Sequence, residues 1–234
     1  MPRSQPGPRS GCQHPSGGLS LERLRITYSK TTPMRYTSNL NIHKIWERTL
    51  RRARLPLAYS EGFHPQPRLI QASPLPLGLL SRVEMIDIWL ESEPGAEPVA
   101  EKLAVALPPG LEVQSITPIE LLAPALPAQV RSAEYVAAFL TPVDRDELAG
   151  RVNRLLGAPE LRRERRGKIY DLRPVIEALE VLPDLDAEGH SCIFMRLSAR
   201  ENATGRAEEV LITLEYDPFD TRIERVKLIL NSSE

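Results

Sequence analysis

Aromatic residues make up only 5% of this sequence, so flat side chains on which bases could stack are few. Cysteine is nearly absent. Cys12 and Cys192 are too few for a disulfide framework or a thiolate metal site, and such sparing use fits a reducing compartment. Long apolar runs are missing as well, and nothing approaches the roughly eighteen residues that a membrane-spanning helix requires. The N-terminal residues lack the apolar segment of a signal peptide. Together these absences predict a cytoplasmic protein with no membrane partner. No glycine-rich phosphate loop, nucleophile elbow or cysteine cluster occurs, so neither a cofactor nor a metal is expected.

What is present is a chain of 234 residues, 41% hydrophobic, long enough for one large core or two small ones. Residues 1–20 are rich in Pro, Gly, Ser and Arg and read as a disordered tail. After the tail, Arg23 to Ser29 alternates as a strand, which Met34 to Thr37 would continue after a Thr-Thr-Pro turn. A helix follows from Ser38, then a proline-punctuated segment with room for a short strand at Leu69 to Ala72. Val83 to Glu91 alternates with period two, Glu97 to Leu107 is helical, and Leu111 to Leu121 is a strand. Past the loop-rich residues 123–130 the pattern recurs. Ala133 to Leu140 reads as a strand, Asp144 to Leu156 as a helix, and Leu161 to Tyr170 as a strand or hairpin. Ser191 to Ser198 is a strand, Ala207 to Leu214 a helix, and Thr221 to Leu230 a closing strand. The order β-α-β-β-α-β, met twice, predicts an α+β protein of two tandem ferredoxin-like (split βαβ) domains, 21–122 and 131–234, joined by a linker at 123–130.

The near-neutral total of −1 hides two opposed regions. From Glu22 to Arg68 ten Lys/Arg face three acids, and from Glu84 to Glu120 eight acids face Lys102 alone, so the two stretches carry +7 and −7. Such segregation predicts an anionic partner for the basic stretch and an acidic surface elsewhere. The basic helix has Ser38 at its N-cap position, an apolar stripe of Leu40, Ile42, Ile45, Trp46, Thr49, Leu50 and Ala53, and Lys44, Arg48, Arg51, Arg52 and Arg54 around the rest. Trp46 and Leu50 should be buried while Arg48 and Arg51 face solvent; a solvated surface helix is the plainer account of the same charges. A second cluster, Arg151 to Arg173, carries eight Lys/Arg against three acids. The guanidinium fork matches phosphate oxygens, and two arginine patches, one in each half, suit folded RNA. The nucleic-acid contacts expected from the sequence are Arg35, Lys44, Arg48, Arg51, Arg52, Tyr59, His64, Arg68, Arg162, Arg163, Arg165 and Arg166.

Catalytic signals are thin. His64 lies in a loop stiffened by Pro65 and Pro67 just after Tyr59, where it could serve as a base, although a loop hydrogen bond is the commoner role. Glu84 and Asp87 are an odd number of residues apart in a strand, so they face opposite ways and cannot act as a pair. No histidine is paired at metal-ligand spacing.

Tyr28-Ser29-Lys30, Arg35-Tyr36 with Ser38 and Leu40, and Glu47-Arg48 with Leu50-Arg51-Arg52-Ala53 form one extended motif. It continues through Leu55-Pro56, Ala58-Tyr59-Ser60, Gly62-Phe63, Pro65, Pro67, Pro74-Leu75-Pro76-Leu77-Gly78 and Glu84, and more faintly at Tyr170-Asp171-Leu172-Arg173-Pro174 and Glu209-Val210-Leu211. In these residues the chain resembles the radical SAM-linked domain of unknown function 2344, a bacterial family found beside or fused to radical SAM proteins with a cobalamin-binding-type domain. The resemblance implies a radical SAM enzyme as partner and lends no activity of its own. Where that family usually shows His-Leu-Asp after the serine, this chain has Asn39-Leu40-Asn41, and two amides cannot do acid–base work. With two cysteines the chain cannot hold a three-cysteine cluster, so it would not be the radical SAM catalyst. The sequence therefore predicts a non-catalytic accessory protein that binds RNA or presents substrate. An RNA-processing nuclease using His64 and Tyr59 is the enzymatic alternative, and a pure protein-docking module is the third.

Overall fold

The folded order is β1 (Glu22–Lys30), α1 (Asn39–Arg52), β2 (Leu69–Gln71), β3 (Leu80–Leu90), α2 (Ala96–Ala106), β4 (Leu111–Ile119), α3 (Leu126–Gln129), β5 (Val130–Phe139), α4 (Arg145–Gly157), β6 (Arg162–Arg165), β7 (Lys168–Asp171), β8 (Ile176–Val181), β9 (Cys192–Arg200), β10 (Ala203–Thr204), α5 (Ala207–Thr213) and β11 (Thr221–Leu230). It is read from a computed structural model that describes residues 20–165, 167–200 and 202–231. The disorder expected of the tail concerns residues that, Ser20 apart, lie outside the described ones.

The expected mixture of helices and strands holds, as an α+β structure around one large mixed sheet. Its strands run β10–β9–β5–β11–β3–β1–β4, with β2 beside β3 and β8 beside β9, and β6–β7 form a separate hairpin. Every neighbouring pair in the large sheet is antiparallel except β11 and β3, which run parallel and meet only at Glu224↔Leu80 and Arg225↔Ser81. One sheet thus crosses both halves of the chain. Residues 123–130 are packed between them rather than loose: Leu126 is fully buried, and the Arg23 guanidinium donates to the carbonyls of Ala123 and Pro124 at 2.6 and 2.9 Å.

Two apolar clusters lie along this sheet. In the first, Leu24, Ile26 and Tyr28 of β1 meet Ile42, Trp46 and Leu50 of α1 and Val99 and Leu103 of α2. The Tyr28 and Trp46 rings stand edge to face, 4.8 Å apart, an arrangement favoured by their opposed quadrupoles. In the second, Ala133, Ile193 and Ile223 of β5, β9 and β11 meet Leu148, Val152 and Leu155 of α4 and Val210 and Leu211 of α5.

Three local expectations change. Thr32–Met34 is a turn of 3-10 helix instead of a strand continuation, because Pro33 fixes φ and has no N–H for a ladder. Leu40, expected on the buried stripe, is 74% exposed. The alternating residues of β8 form a strand that the sequence reading passed over. Of the strand or hairpin expected at Leu161 to Tyr170, the β6–β7 hairpin is the one formed.

Candidate functional site

Helix α1 begins where the Ser38 hydroxyl accepts the Asn41 N–H at 3.3 Å, satisfying one of the free donors of the first turn. It ends at Ala53, after which Arg54 takes the left-handed conformation at φ 53°. Trp46 and Leu50 are fully buried, as the helical period requires, and Lys44, Arg48, Arg51, Arg52 and Arg54 are exposed. The ion pair on this helix is His43 with Glu47 at 3.5 Å, and none among the described residues engages Lys44, Arg48, Arg51 or Arg54. Arg52 is already committed, donating to the Ala106 carbonyl at the end of α2.

Much of the basic stretch is not surface at all. Arg23 and Arg25 share the buried carboxylate of Asp87, with contacts of 2.7 to 3.1 Å. Lys30 is buried and donates to the carbonyls of Arg35 and Leu79; burial pushes its ammonium down to about 8. Arg35 donates to the carbonyls of Gly78 and Thr221 and lies over the Tyr36 ring, so it locks the fold instead of facing a partner. Among the acids, Glu84 and Asp87 are buried on opposite faces of β3, opposite Tyr28 and Arg25 in the register. The exposed Glu97 and Glu101 sit on α2, which packs beside α1 over the same cluster. The +7 and −7 of the sequence therefore overstate the surface separation: Arg23, Arg25 and Lys30 of the one and Glu84 and Asp87 of the other are buried, and α1 and α2 share one side of the sheet.

The Tyr59–Arg68 loop is closed by Ser60 N–H to the Gln66 carbonyl at 2.8 Å and Gln66 N–H to the Ser60 hydroxyl at 3.0 Å, with Gly62 at φ 123°. His64 is exposed near its tip, Tyr59 bridges to Pro67, and the Arg68 guanidinium lies 5.0 Å over the Trp89 ring. In the second cluster, Arg162 pairs with Glu160 at 2.9 Å and Arg163 with Glu209 at 3.1 Å, so both are neutralised. Arg166 lies outside the described residues.

Arg165 behaves differently, and it leads to a feature that the sequence reading missed. A cavity of about 850 Å³ opens between the two halves. The Ser73–Leu79 segment and the start of α1 form one wall; β10, the start of α5 and Arg165 form another; Tyr135 and Arg225 reach it from the sheet. Neither His64 nor Tyr59, the pair considered for a nuclease, lines it. Arg225 is fully buried. It donates to Glu84 at 2.9 and 3.1 Å, to the carbonyls of Ser73 and Pro74, and to the Tyr135 hydroxyl at 3.1 and 3.3 Å. Burial pushes the Glu84 carboxyl above the usual range while Arg225 pulls it back. The Arg165 Nη1 and Glu208 Oε2 atoms are buried and have no hydrogen-bond partner among the described residues. Burial raises the Glu208 carboxyl too. Asn39 lines this cavity, placing an amide there. One clue was readable: Thr221, Ile223 and Arg225 alternate, which puts an arginine on the inward face of a strand.

One group of side chains has metal-ligand chemistry, Asp186, Glu188 and His190, whose ligand atoms lie within 4.8 Å of one another. The Arg222 guanidinium donates to both carboxylates at 2.7 and 2.9 Å, and the His190 N–H holds the Asp186 carboxyl below its usual range. The group is an ion-paired turn.

Among solved structures, the chain is similar to a Cbf5–Nop10–Gar1 complex (TM-score 0.49, 10% identity, 88% of this chain and 48% of that one). It is also similar to the archaeal box H/ACA sRNP Nop10–Cbf5 complex (TM-score 0.42, 10% identity, 90% and 49%). The chain spans about half the length of the structures it matches. No curated protein matches it by sequence. Residues 23–207, which hold the Ser38 cap, the Arg23–Asp87–Arg25 cluster and most of the cavity wall, match an uncharacterized protein family conserved in bacteria, and the chain belongs to that family, DUF2344.

Proposed function

We propose that this protein binds RNA without catalysing its chemistry, through the exposed cationic side of α1, and that it serves as accessory to a radical SAM enzyme. The observation that carries the RNA reading is the row of Lys44, Arg48 and Arg51 on one fourteen-residue helix, with Arg54 just past its end, all exposed and without acidic partners among the described residues. At 1.5 Å per residue Lys44 to Arg51 spans about 10 Å, enough for adjacent phosphates of one strand. Such contacts bind by releasing counterions and need little aromatic surface, which suits a chain with 5% aromatics. The radical SAM partnership rests on the family resemblance. Arg35, Arg162 and Arg163 drop out of the proposed contact set because carbonyls and carboxylates hold them.

We read the architecture as two split βαβ units, residues 21–122 and 131–234, joined edge to edge. The order β4–β1–β3–β2 in one half is repeated as β11–β5–β9–β8 in the other, antiparallel throughout, which supports that reading.

Gel-shift titrations with a single-stranded oligoribonucleotide at two salt concentrations test the function. Affinity should fall steeply with salt, and Arg48→Ala and Arg51→Ala should each lower the log–log slope by about one. Absent or salt-insensitive binding would discard the RNA reading in favour of protein docking.

A further inference from the structure

The geometry points to the cavity between the halves as the seat of a single unpaired nucleotide of the bound RNA, its base against the apolar wall and its phosphate toward Arg165 and Arg206. This inference rests on the RNA reading and adds the chemical unit that is recognised.

Three independent features carry it. The first is size and lining. At about 850 Å³ the cavity lies within the range of small-molecule sites and exceeds what a lone inorganic anion needs. Leu40, Pro74, Leu75 and Leu77 give it an apolar wall, and Leu40 and Leu77 are 74% and 60% exposed. A purely ionic ligand would leave that wall wet, and a purely apolar one would strand the cations opposite.

The second feature is the pair of unmet polar atoms. Arg165 and Glu208 both line the space, and each holds one buried polar atom, Nη1 and Oε2, without a partner among the described residues. Buried polar groups are normally bonded, because leaving one unpaired forfeits its hydration. Arg225, by contrast, has its donors taken up by Glu84, Tyr135 and two carbonyls, so it forms the floor and is not a ligand group. Burial raises the Glu208 carboxyl above its usual range, and its oxygens can accept from the amino groups of a base edge. Asn39 offers both a donor and an acceptor from the other wall.

The third feature is the path in. Leu40, Lys44, Arg48 and Arg51 stand on successive turns of α1, so the cationic row starts at the cavity mouth. A strand tracking those charges is delivered to the opening, where one base can leave the row and turn inward.

The test uses the full chain and three soluble probes, the nucleoside 5′-monophosphates, the nucleosides and inorganic phosphate, read by calorimetry beside the oligoribonucleotide titrations. A monophosphate should bind at least about tenfold tighter than phosphate or nucleoside alone. Arg165→Ala and Leu40→Asp should weaken it by at least about tenfold, while Arg48→Ala leaves it unchanged. Both replacements lie at exposed or half-exposed positions, and an acid in the first turn of α1 favours the helix, so folding is kept. Monophosphate binding that ignores Arg165→Ala, or that phosphate alone matches, overturns the inference while RNA binding stands. Oligomer binding that responds to Arg48→Ala and not to Leu40→Asp or Arg165→Ala overturns it as well. A monophosphate held at these residues with no oligomer binding overturns the RNA reading instead, leaving a free mononucleotide site.

Discussion

Asp87 carries two guanidinium groups on one buried carboxylate, so a net positive charge remains inside the sheet. Carbonyls absorb it: Arg23 donates onward to Ala123 and Pro124, and Arg25 to the Gln129 side chain at 3.3 Å. Removing the shared anion would leave two buried cations facing each other. Asp87→Asn should therefore cost about 3–5 kcal/mol, measured by urea unfolding. Lys30 makes a different prediction, in pH. Its folded value of about 8 lies below the ordinary 10.5, so between those limits the unfolded chain holds more protons. The cost of burying the ammonium is complete below pH 8 and fades above it, so stability should rise with pH across that window. The urea midpoint of the wild type should climb relative to Lys30→Met between pH 7.5 and 10; a parallel pair of curves would contradict the assignment.

At the scale of elements, α1 was readable because its cap, apolar period and cationic complement agree. Trp46→Ala should cost about 3–5 kcal/mol in the same assay, since the ring is fully buried against Tyr28. Leu40 misled because an apolar residue in the first turn continues the stripe in sequence, whereas the cavity beside it leaves no packed neighbour there. The alternation of β3 and β11 was legible for the same reason as α1, a single strong period. Strand β8 follows Pro174 and a 3-10 turn, and its short alternating run was masked by the arginine-rich hairpin before it. The candidate site was half legible. Its helix is local and could be read, but the cavity is assembled from segments as far apart as Ser38 and Arg225, and no period in the chain records their meeting. Arginines counted as surface charge turned out to be internal wherever strand alternation placed them beside Asp87 or Glu84.

Across the whole molecule, strand pairing joins the two halves at two residue pairs of β3 and β11 among the described residues, and Arg225 bolts that narrow seam with side-chain bonds to Glu84 and to the carbonyls of Ser73 and Pro74. The strength of the bolt has a measurable signature. Both tryptophans, Trp46 and Trp89, belong to the first half, so their fluorescence reports on it while far-ultraviolet circular dichroism reports on the whole. The two transitions should coincide in the native protein. Arg225→Met leaves Glu84 buried and alone, so the transitions should separate, with the first half unfolding earlier. Coincident curves in that variant would mean that the seam is held by its apolar contacts instead.

Strand β11 follows every other strand of the sheet in the chain and yet occupies its middle, between β5 and β3. A ribosome that has reached residue 220 has made the strands on both sides of β11 and not the one that joins them. Until the final strand emerges, β3 and β5 each present an open edge, the form of backbone most prone to pair with a stranger. The interval of risk for the nascent chain is thus the one before β11 emerges, and translation that stalls shortly before residue 221 would release two unjoined, adhesive halves.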